Sequence, residues 1–210
     1  VTDLETGTKL NIDNKYIMSP KDLCTIEFMD KIIDAGVKVF KIEGRARSAE
    51  YVKKTAECYR RAADAVCEGR YTPELAASLK EELSEVFNRG FWDGYYQGAR
   101  LGEWSDVYGS HATRKKIYCG KITNWFDRIS VAEVLVESEA LRKGDDILII
   151  GETTGVIEQN VSEIRVDLKP TDEAGKGTLC SIPIIFPDDI RTPGGKKIRR
   201  GDKVYIWREV

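Results

Sequence analysis

Residues 37–48, VKVFKIEGRARS, hold the densest set of side chains in this chain that could do chemistry. Read as a strand, residues 37–42 alternate their side chains between two faces. Val37, Val39, Lys41 and Glu43 then share one face, and Phe40 and Ile42 share the other. Lys41 and Glu43 rise at the C-terminal end of that strand, where active sites sit in β/α barrels, and they form the candidate catalytic pair. Gly44 relaxes the backbone, and Arg45 and Arg47 lead to a helix start at Ser48. Two guanidinium groups beside helix-end N–H donors make an anion site, for which a carboxylate or phosphate is the natural ligand. An ion-paired cluster, with Glu43 neutralising Lys41 or Arg45, fits the same spacing equally well.

Residues 18–24, MSPKDLC, are the second candidate. Ser19 can cap a helix that Pro20 opens, which places Lys21 and Asp22 in its first turn. Lys21 joins the candidate anion-binding residues, though a capped helix start with surface charges explains it as well. Cys24 is the one candidate metal or cluster ligand; a lone cysteine on a helix is more often a small packed residue.

The elements that must position these residues fall into two regimes. Tyr16-Ile17-Met18 reads as a short strand. Leu23, Ile26, Phe28, Met29, Ile32 and Ile33 give an apolar helical face that Gly36 ends. The strand at 37–42 follows, then a helix over about 49–68 with Val52, Ala56, Tyr59, Ala63 and Val66 at helical spacing. A third helix runs from Pro73 to near Asn88-Arg89-Gly90. Strand–helix alternation implies a parallel sheet, yet a complete β/α barrel takes about 250 residues. From about residue 117 the chain changes to short strands with turn residues, at 131–136, 148–150, 161–168, 177–185 and 203–207, as in a closed antiparallel barrel. LRKGDDILI at 141–149 is echoed by IRRGDKVYI at 198–206, each Gly-Asp being a tight turn into a strand. The expected fold is thus mixed α+β. A C-terminal piece of a β/α barrel occupies residues 1–100, a linker residues 101–116 and a small antiparallel β-barrel residues 117–210.

Composition narrows the chemistry. The chain has 210 residues, a formal net charge of -2, five cysteines and one histidine, His111. One histidine excludes a His dyad or a three-His metal site within this chain. No Ser–His–Asp set and no H-E-x-x-H zinc motif occurs. An odd cysteine number at this length points to a reducing compartment, and the expected location is cytoplasmic. No apolar run reaches the roughly 20 residues of a membrane span. Basic stretches at 114–116 and 196–200 read as solvated loops before nucleic-acid contacts. Trp92, Tyr95 and Tyr96 read as cover for helices before base-stacking rings.

The motifs YIMSPKDLC (16–24), AGV (35–37), FKIEGR (40–45), Arg47-Ser48, Tyr51, YRRA (59–62) and NRGF (88–91) with Gly94 resemble the collagenase-like peptidases of family U32. Residues 117–210 resemble the C-terminal β-barrel of some members, which is similar to translation-factor barrels. The resemblance implies a protease by family name. It equally implies a part in hydroxylation of tRNA uridine or rRNA cytidine, a chemistry linked in that family to prephenate and an iron–sulfur cluster. The family's cysteine-rich signature lies upstream of the YIMSP segment, so no cofactor is expected within this chain, and any cluster belongs to the full-length parent. Expected partners are RNA (tRNA or rRNA) or a peptide, together with the upstream barrel portion of the same protein. Taken alone, the chain is expected to lack protease activity and to self-associate as a homo-oligomer or expose an apolar patch. The rival reading is an RNA- or protein-binding β-barrel module without catalysis of its own.

Overall fold

The computed structural model describes residues 2–7, 9, 19–99, 101–105, 108–186 and 198–210. The expected strand at Tyr16-Ile17-Met18 and the basic residues Lys196 and Lys197 lie outside the described residues. The chain divides into two compact units, Val1–Thr113 and Arg114–Val210.

In the first unit the helix expected from Ser19 starts later. Strand β1 (Asp22–Leu23) pairs in parallel with β2 (Phe91–Trp92). The backbone amides of Lys21, Asp22 and Cys24 donate to the carbonyls of Glu103, Gly90 and Trp92. These acceptors, far along the same chain, hold this stretch extended, against the helix that Pro20 would suit. A 3-10 turn (Ile26–Phe28) leads into the short helix α1 (Met29–Asp34), and Gly36, at φ +91, ends it. Ile26 and Met29 are fully buried, as the apolar spacing predicts.

Helices α2 (Ala49–Cys67) and α3 (Pro73–Ser84) form next. Thr72 caps α3 by accepting the Leu75 amide at 3.2 Å, with Pro73 in the first turn. The buried residues of α2 are Glu50, Thr55, Cys58, Ala62 and Ala65; of the expected face Tyr59, Ala63 and Val66 pack against this core while Val52 and Ala56 are exposed, so the helix is rotated part of the way from the expected face. The rotation has a steric cause. Small side chains let the helix approach Ile26, Met29, Leu79 and Leu83, with which Cys58 and Ala62 form one core.

The expected strand at 37–42 is a correction. The segment has no ladder partner among the described residues, and Val39 is 84% exposed. A strand persists only where a neighbour satisfies its backbone donors and acceptors. Lys41/Glu43 parity therefore has no sheet to enforce it.

The second unit is built from antiparallel ladders. Its strands are β3 (Arg114–Phe126), β4 (Val131–Val136), β5 (Leu141–Arg142), β6 (Asp146–Gly151), β7 (Gly155–Asn160), β8 (Ile164–Val166), β9 (Lys169–Thr171), β10 (Glu173–Ala174), β11 (Leu179–Pro183) and β12 (Lys203–Glu209). Eight of them form one sheet in the order β7-β6-β12-β3-β4-β11-β8-β9, and β10 pairs separately with β5. No ladder joins β7 to β9 among the described residues, so the closed barrel expected from the sequence is not seen as a closed hydrogen-bonded ring. Residues 114–116, expected to end a linker, begin the longest strand. Residues 161–168 give only a three-residue strand because Asp167 and Leu168 turn at positive φ. Along β4 the alternation holds: Ala132, Val134 and Val136 are buried in the same core as Ile122, Ile149, Ile182 and Ile206.

The sequence echo is a structural one. In each copy the Asp carboxylate accepts the amide three residues before it: Arg142 N–H to Asp145 and Arg199 N–H to Asp202, both 2.8 Å. Gly144 and Gly201 adopt φ +90 and +94, where a side chain would be strained. Each turn then clasps one buried β-branched residue by two backbone bonds. Gly144 and Asp145 clasp Val161, and Gly201 and Asp202 clasp Ile122, all at 2.8 Å. The strands that leave these turns, β6 and β12, are direct antiparallel neighbours.

Candidate functional site

In the first unit a cavity of about 790 Å³ is lined by the 37–48 segment, the N-terminal half of α2, and Phe87 and Arg89 from beyond α3. Four cationic side chains line it, Lys41, Arg45, Arg47 and Arg89, against the two carboxylates Asp22 and Glu43. Aromatic rings of Phe40, Tyr51, Phe87 and Tyr96 share the wall.

The cations differ in status. Arg47 donates through Nη2 to Asp22 Oδ1 at 2.8 Å, with the two side chains only 15% and 21% exposed. Its guanidinium also lies 4.3 Å from the centre of the Phe87 ring and 5.2 Å from that of Tyr51. The other oxygen of Asp22 accepts the Arg89 backbone N–H at 2.9 Å. Asp22 thus ties together β1, the approach to α2 and the turn after α3. That turn is made by buried Asn88, whose side chain donates to the carbonyls of Ser84 and Val86 and accepts the Gly90 amide at 3.0 Å. The side chains of Lys41, Arg45 and Arg89 form no ion pair among the described residues. With Asp22 engaged by Arg47, the cavity keeps a cationic surplus.

Arg45 is presented by a tight turn. The Arg47 amide donates to Gly44 O at 3.0 Å, and Ala46 between the two arginines sits at φ +58. A side chain in that left-handed region costs roughly 1–2 kcal/mol relative to right-handed backbone. Glu43 Oε1 accepts the Arg45 amide at 2.7 Å, so this carboxylate shapes the turn. Ser48 ends the turn at the N-cap of α2, where its hydroxyl makes no capping bond.

Comparison with known proteins then fixes the lineage. The model of peptidase family U32 matches residues 2–106. This chain belongs to that family. A collagenase of Porphyromonas gingivalis is 52% identical over 205 residues, covering 98% of this chain and 47% of that protein. An uncharacterized protease of Methanocaldococcus jannaschii is 34% identical, covering 94% of this chain and 46% of that protein. A tRNA hydroxylation protein of Haemophilus influenzae is 31% identical over 176 residues, covering 83% of this chain and 37% of that protein. The chain therefore spans about half the length of the first of these, and less of the last.

Within this U32 chain, Lys41, Glu43, Arg45, Arg47 and Ser48 line one cavity. Lys21 does not join them; its ammonium pairs with Glu103 at 2.7 Å. Cys24 is packed in the core, with Tyr59 donating its hydroxyl towards the sulfur at 3.8 Å. Burial pushes the Cys24 thiol up from its ordinary range, away from the thiolate that metals bind. No group of three or more His, Cys, Asp or Glu able to hold a metal occurs among the described residues. Among the described residues no helix is long and apolar enough to cross a membrane.

Sequence reasoning missed Asp22, Arg89 and Thr55 as parts of the cavity. Asp22 reads locally as a charge in a helix start, and only the β1–β2 pairing turns it inward. Arg89 has a signal, since it stands between Asn88 and Gly90, a turn pair that displays the residue between them. Thr55 shares the α2 stripe with Ser48, Tyr51 and Tyr59, all hydroxyl-bearing and all lining the cavity, a spacing visible in the sequence.

Proposed function

We propose that this chain supplies the anionic-ligand cavity of a U32 protein that acts in RNA modification, with Arg45, Arg89 and Lys41 receiving an RNA phosphate or a carboxylate. The observation that carries the reading is the split among the cations. Arg47 is neutralised by Asp22 and stacked on Phe87, whereas the three others face the cavity without a carboxylate partner among the described residues. Anions are held by guanidinium forks and helix-end amides in this way. Lys41 is the candidate for a direct role at the reacting group. Glu43 acts by holding the Arg45 turn.

Peptide hydrolysis is the second reading, favoured by the collagenase name of a relative at 52% identity. It gains less from a cationic cavity. The hydroxyls there belong to Thr25, Ser48, Tyr51, Thr55, Tyr59 and Tyr96, and His111 does not line the cavity with them. The exposed 37–42 segment fits a barrel strand whose neighbours come from the other half of the protein, as in a β/α barrel.

The test is made in the host organism. Arg45 and Arg89 are replaced by Ala, and the nucleosides of tRNA and rRNA are separated by chromatography and weighed by mass spectrometry. Loss of a hydroxylated pyrimidine is expected. An unchanged nucleoside profile, with collagen cleavage by the purified protein, overturns the proposal.

A further inference from the structure

In the second unit no ladder joins β7 to β11 among the described residues, and one side chain spans that gap. Gln159, on β7, donates through Nε2 to Pro183 O at 2.8 Å, and its Oε1 accepts the Ile185 N–H at 2.9 Å. These two backbone groups flank Ile184. Successive residues of a strand turn their N–H and C=O groups to opposite edges. Ile184 donates to Ser130 O at 2.8 Å, towards β4, so Pro183 and Ile185 face the other edge. Two residues earlier β8 occupies that edge, with Arg165 opposite Ser181. A regular ladder cannot run on from there, because Pro183 has no N–H to donate. A primary amide carries its own donor and acceptor, and asks of this edge only the Pro183 carbonyl and the Ile185 N–H. Both sides of the gap serve one core: Ile157 of β7, Ile182 of β11 and Ile184 beyond it are buried together with Val134, Ile149 and Ile206. β7 and β11 are first and sixth in the sheet order, so a core shared between them means a sheet curled on itself.

We infer that Gln159 is a latch: its amide closes the second unit into a six-stranded barrel, and the seam it holds is where that barrel opens. Ladders elsewhere in the ring are held by runs of backbone bonds, seven paired residues between β12 and β3 and six between β6 and β7. At the seam two bonds from one side chain do this work. The chain past Pro183 is otherwise tied by the Ser130 bond and by the edge-on contact of Phe186 with Trp125, ring centres 5.6 Å apart, and Ile185 is 69% exposed. Local opening selects the place with the fewest bonds to break. Release of Gln159 frees the edges of β7 and β11 together and uncovers Ile157 and Ile184, which are 2% and 3% exposed when it is shut. The apolar interior of the unit thus has one entrance, controlled by one residue. This inference is independent of the cationic cavity and of the RNA reading.

The experiment is amide hydrogen exchange on the 210-residue chain, resolved by residue with NMR. In the unaltered chain the Ile185 amide should exchange faster than the protected amides of the β12–β3 ladder, by an opening that leaves that ladder intact. Gln159→Leu keeps much of the side-chain volume and removes both bonds. It should speed exchange at Ile185 by about 10–100-fold, each net hydrogen bond being worth roughly fivefold in the open population, and leave the β12–β3 amides as they were. Gln159→Ala should do the same. Asn160→Ala is the control, since it removes a neighbouring side-chain bond, to Gly144 O at 2.7 Å, that does not cross the seam; Ile185 should not respond to it. An Ile185 amide that exchanges only with the ladder amides in the unaltered chain overturns the inference, whether or not the variants fold. So does an unchanged rate in Gln159→Leu, or a loss of protection that spreads evenly through all the strands.

Discussion

Arg45 and Arg47 are two residues apart and chemically identical, and the structure gives them opposite roles. Arg47→Ala removes the partner of a carboxylate whose side chain is only 21% exposed. Breaking a buried pair costs about 3–5 kcal/mol, and partial solvent access at both ends lowers this. The stacking on Phe87 adds about 0.5–1 kcal/mol. The expected loss of stability is therefore about 2–4 kcal/mol, or roughly 5–15 °C in melting temperature for a chain of this size. Arg45 is exposed and holds no side-chain partner among the described residues, so Arg45→Ala should change stability by no more than about 0.5 kcal/mol. Binding of an anionic probe such as a fluorescein-labelled single-stranded RNA pentanucleotide should follow the reverse order. Loss of Arg45 should weaken it about tenfold, a difference of about 1.4 kcal/mol, and Arg47→Ala, assayed at a temperature where it is folded, by less. Differential scanning fluorimetry and anisotropy on the same preparations settle the matter. Equal destabilisation by the two substitutions, or a larger binding loss in folded Arg47→Ala, would refute the division of labour.

Four further outcomes are expected. Asp202→Ala should cost about 2–5 kcal/mol, because the fully buried Thr154 hydroxyl and the Arg199 amide both lose this acceptor. Asp145→Ala should cost less, about 1–2 kcal/mol, because Arg208, 30% exposed, regains water; urea unfolding curves compare the two. Burial pushes the Cys58 and Cys119 thiols up to about 12 and that of Cys180 up to about 11, against an ordinary value near 9. The folded chain keeps these protons where the unfolded chain has lost them. The stability they confer is complete below pH 9 and falls as pH rises through 11. The urea midpoint should decline over that window, less steeply in Cys180→Ala; a flat midpoint refutes this. Ala46→Gly should leave stability unchanged or raise it by up to about 1 kcal/mol, since the left-handed strain is relieved at the expense of chain entropy, as thermal melts would show. A thiol-reactive dye should label Cys67, the one exposed cysteine, in the native protein and all five after denaturation.

Legibility in the sequence followed the range of the forces involved. Strand β4 and the buried Ile26 and Met29 were readable because alternation and helical spacing are local signals. The Thr72-Pro73 helix start was readable because capping spans three residues. The 37–48 cluster was found for its residue types, but its geometry was not. The parity argument needed a sheet, and no neighbouring strand is present among the described residues to make one. Asp22 was misplaced because its conformation is decided by amides donating to Gly90 and Trp92, almost 70 residues away. The 13-residue strand β3 escaped because it carries Gly120 and Asn124 and slips register twice against its neighbours. Gly120 is required there, since a Cβ would stand 2.0 Å from Leu135 O.

The paired Gly-Asp turns carry a hazard of identity. Two segments that fold alike locally, and whose outgoing strands lie side by side, can in principle exchange places during folding. One chain could also lend its copy to another, the route by which domain-swapped dimers arise. The two turns make the same local backbone bonds, so side chains are what tell them apart. They do so asymmetrically. Asp202 must lie against Gly151, where a Cβ would come within 2.0 Å of its carboxylate, and must meet the Thr154 hydroxyl at 2.6 Å. Asp145 must meet Arg208 at 2.7 Å. Gly151, Thr154 and Arg208 thus act as address labels that distinguish two otherwise interchangeable parts. Erasing them together should yield a protein that keeps its secondary structure and loses its single assembled form.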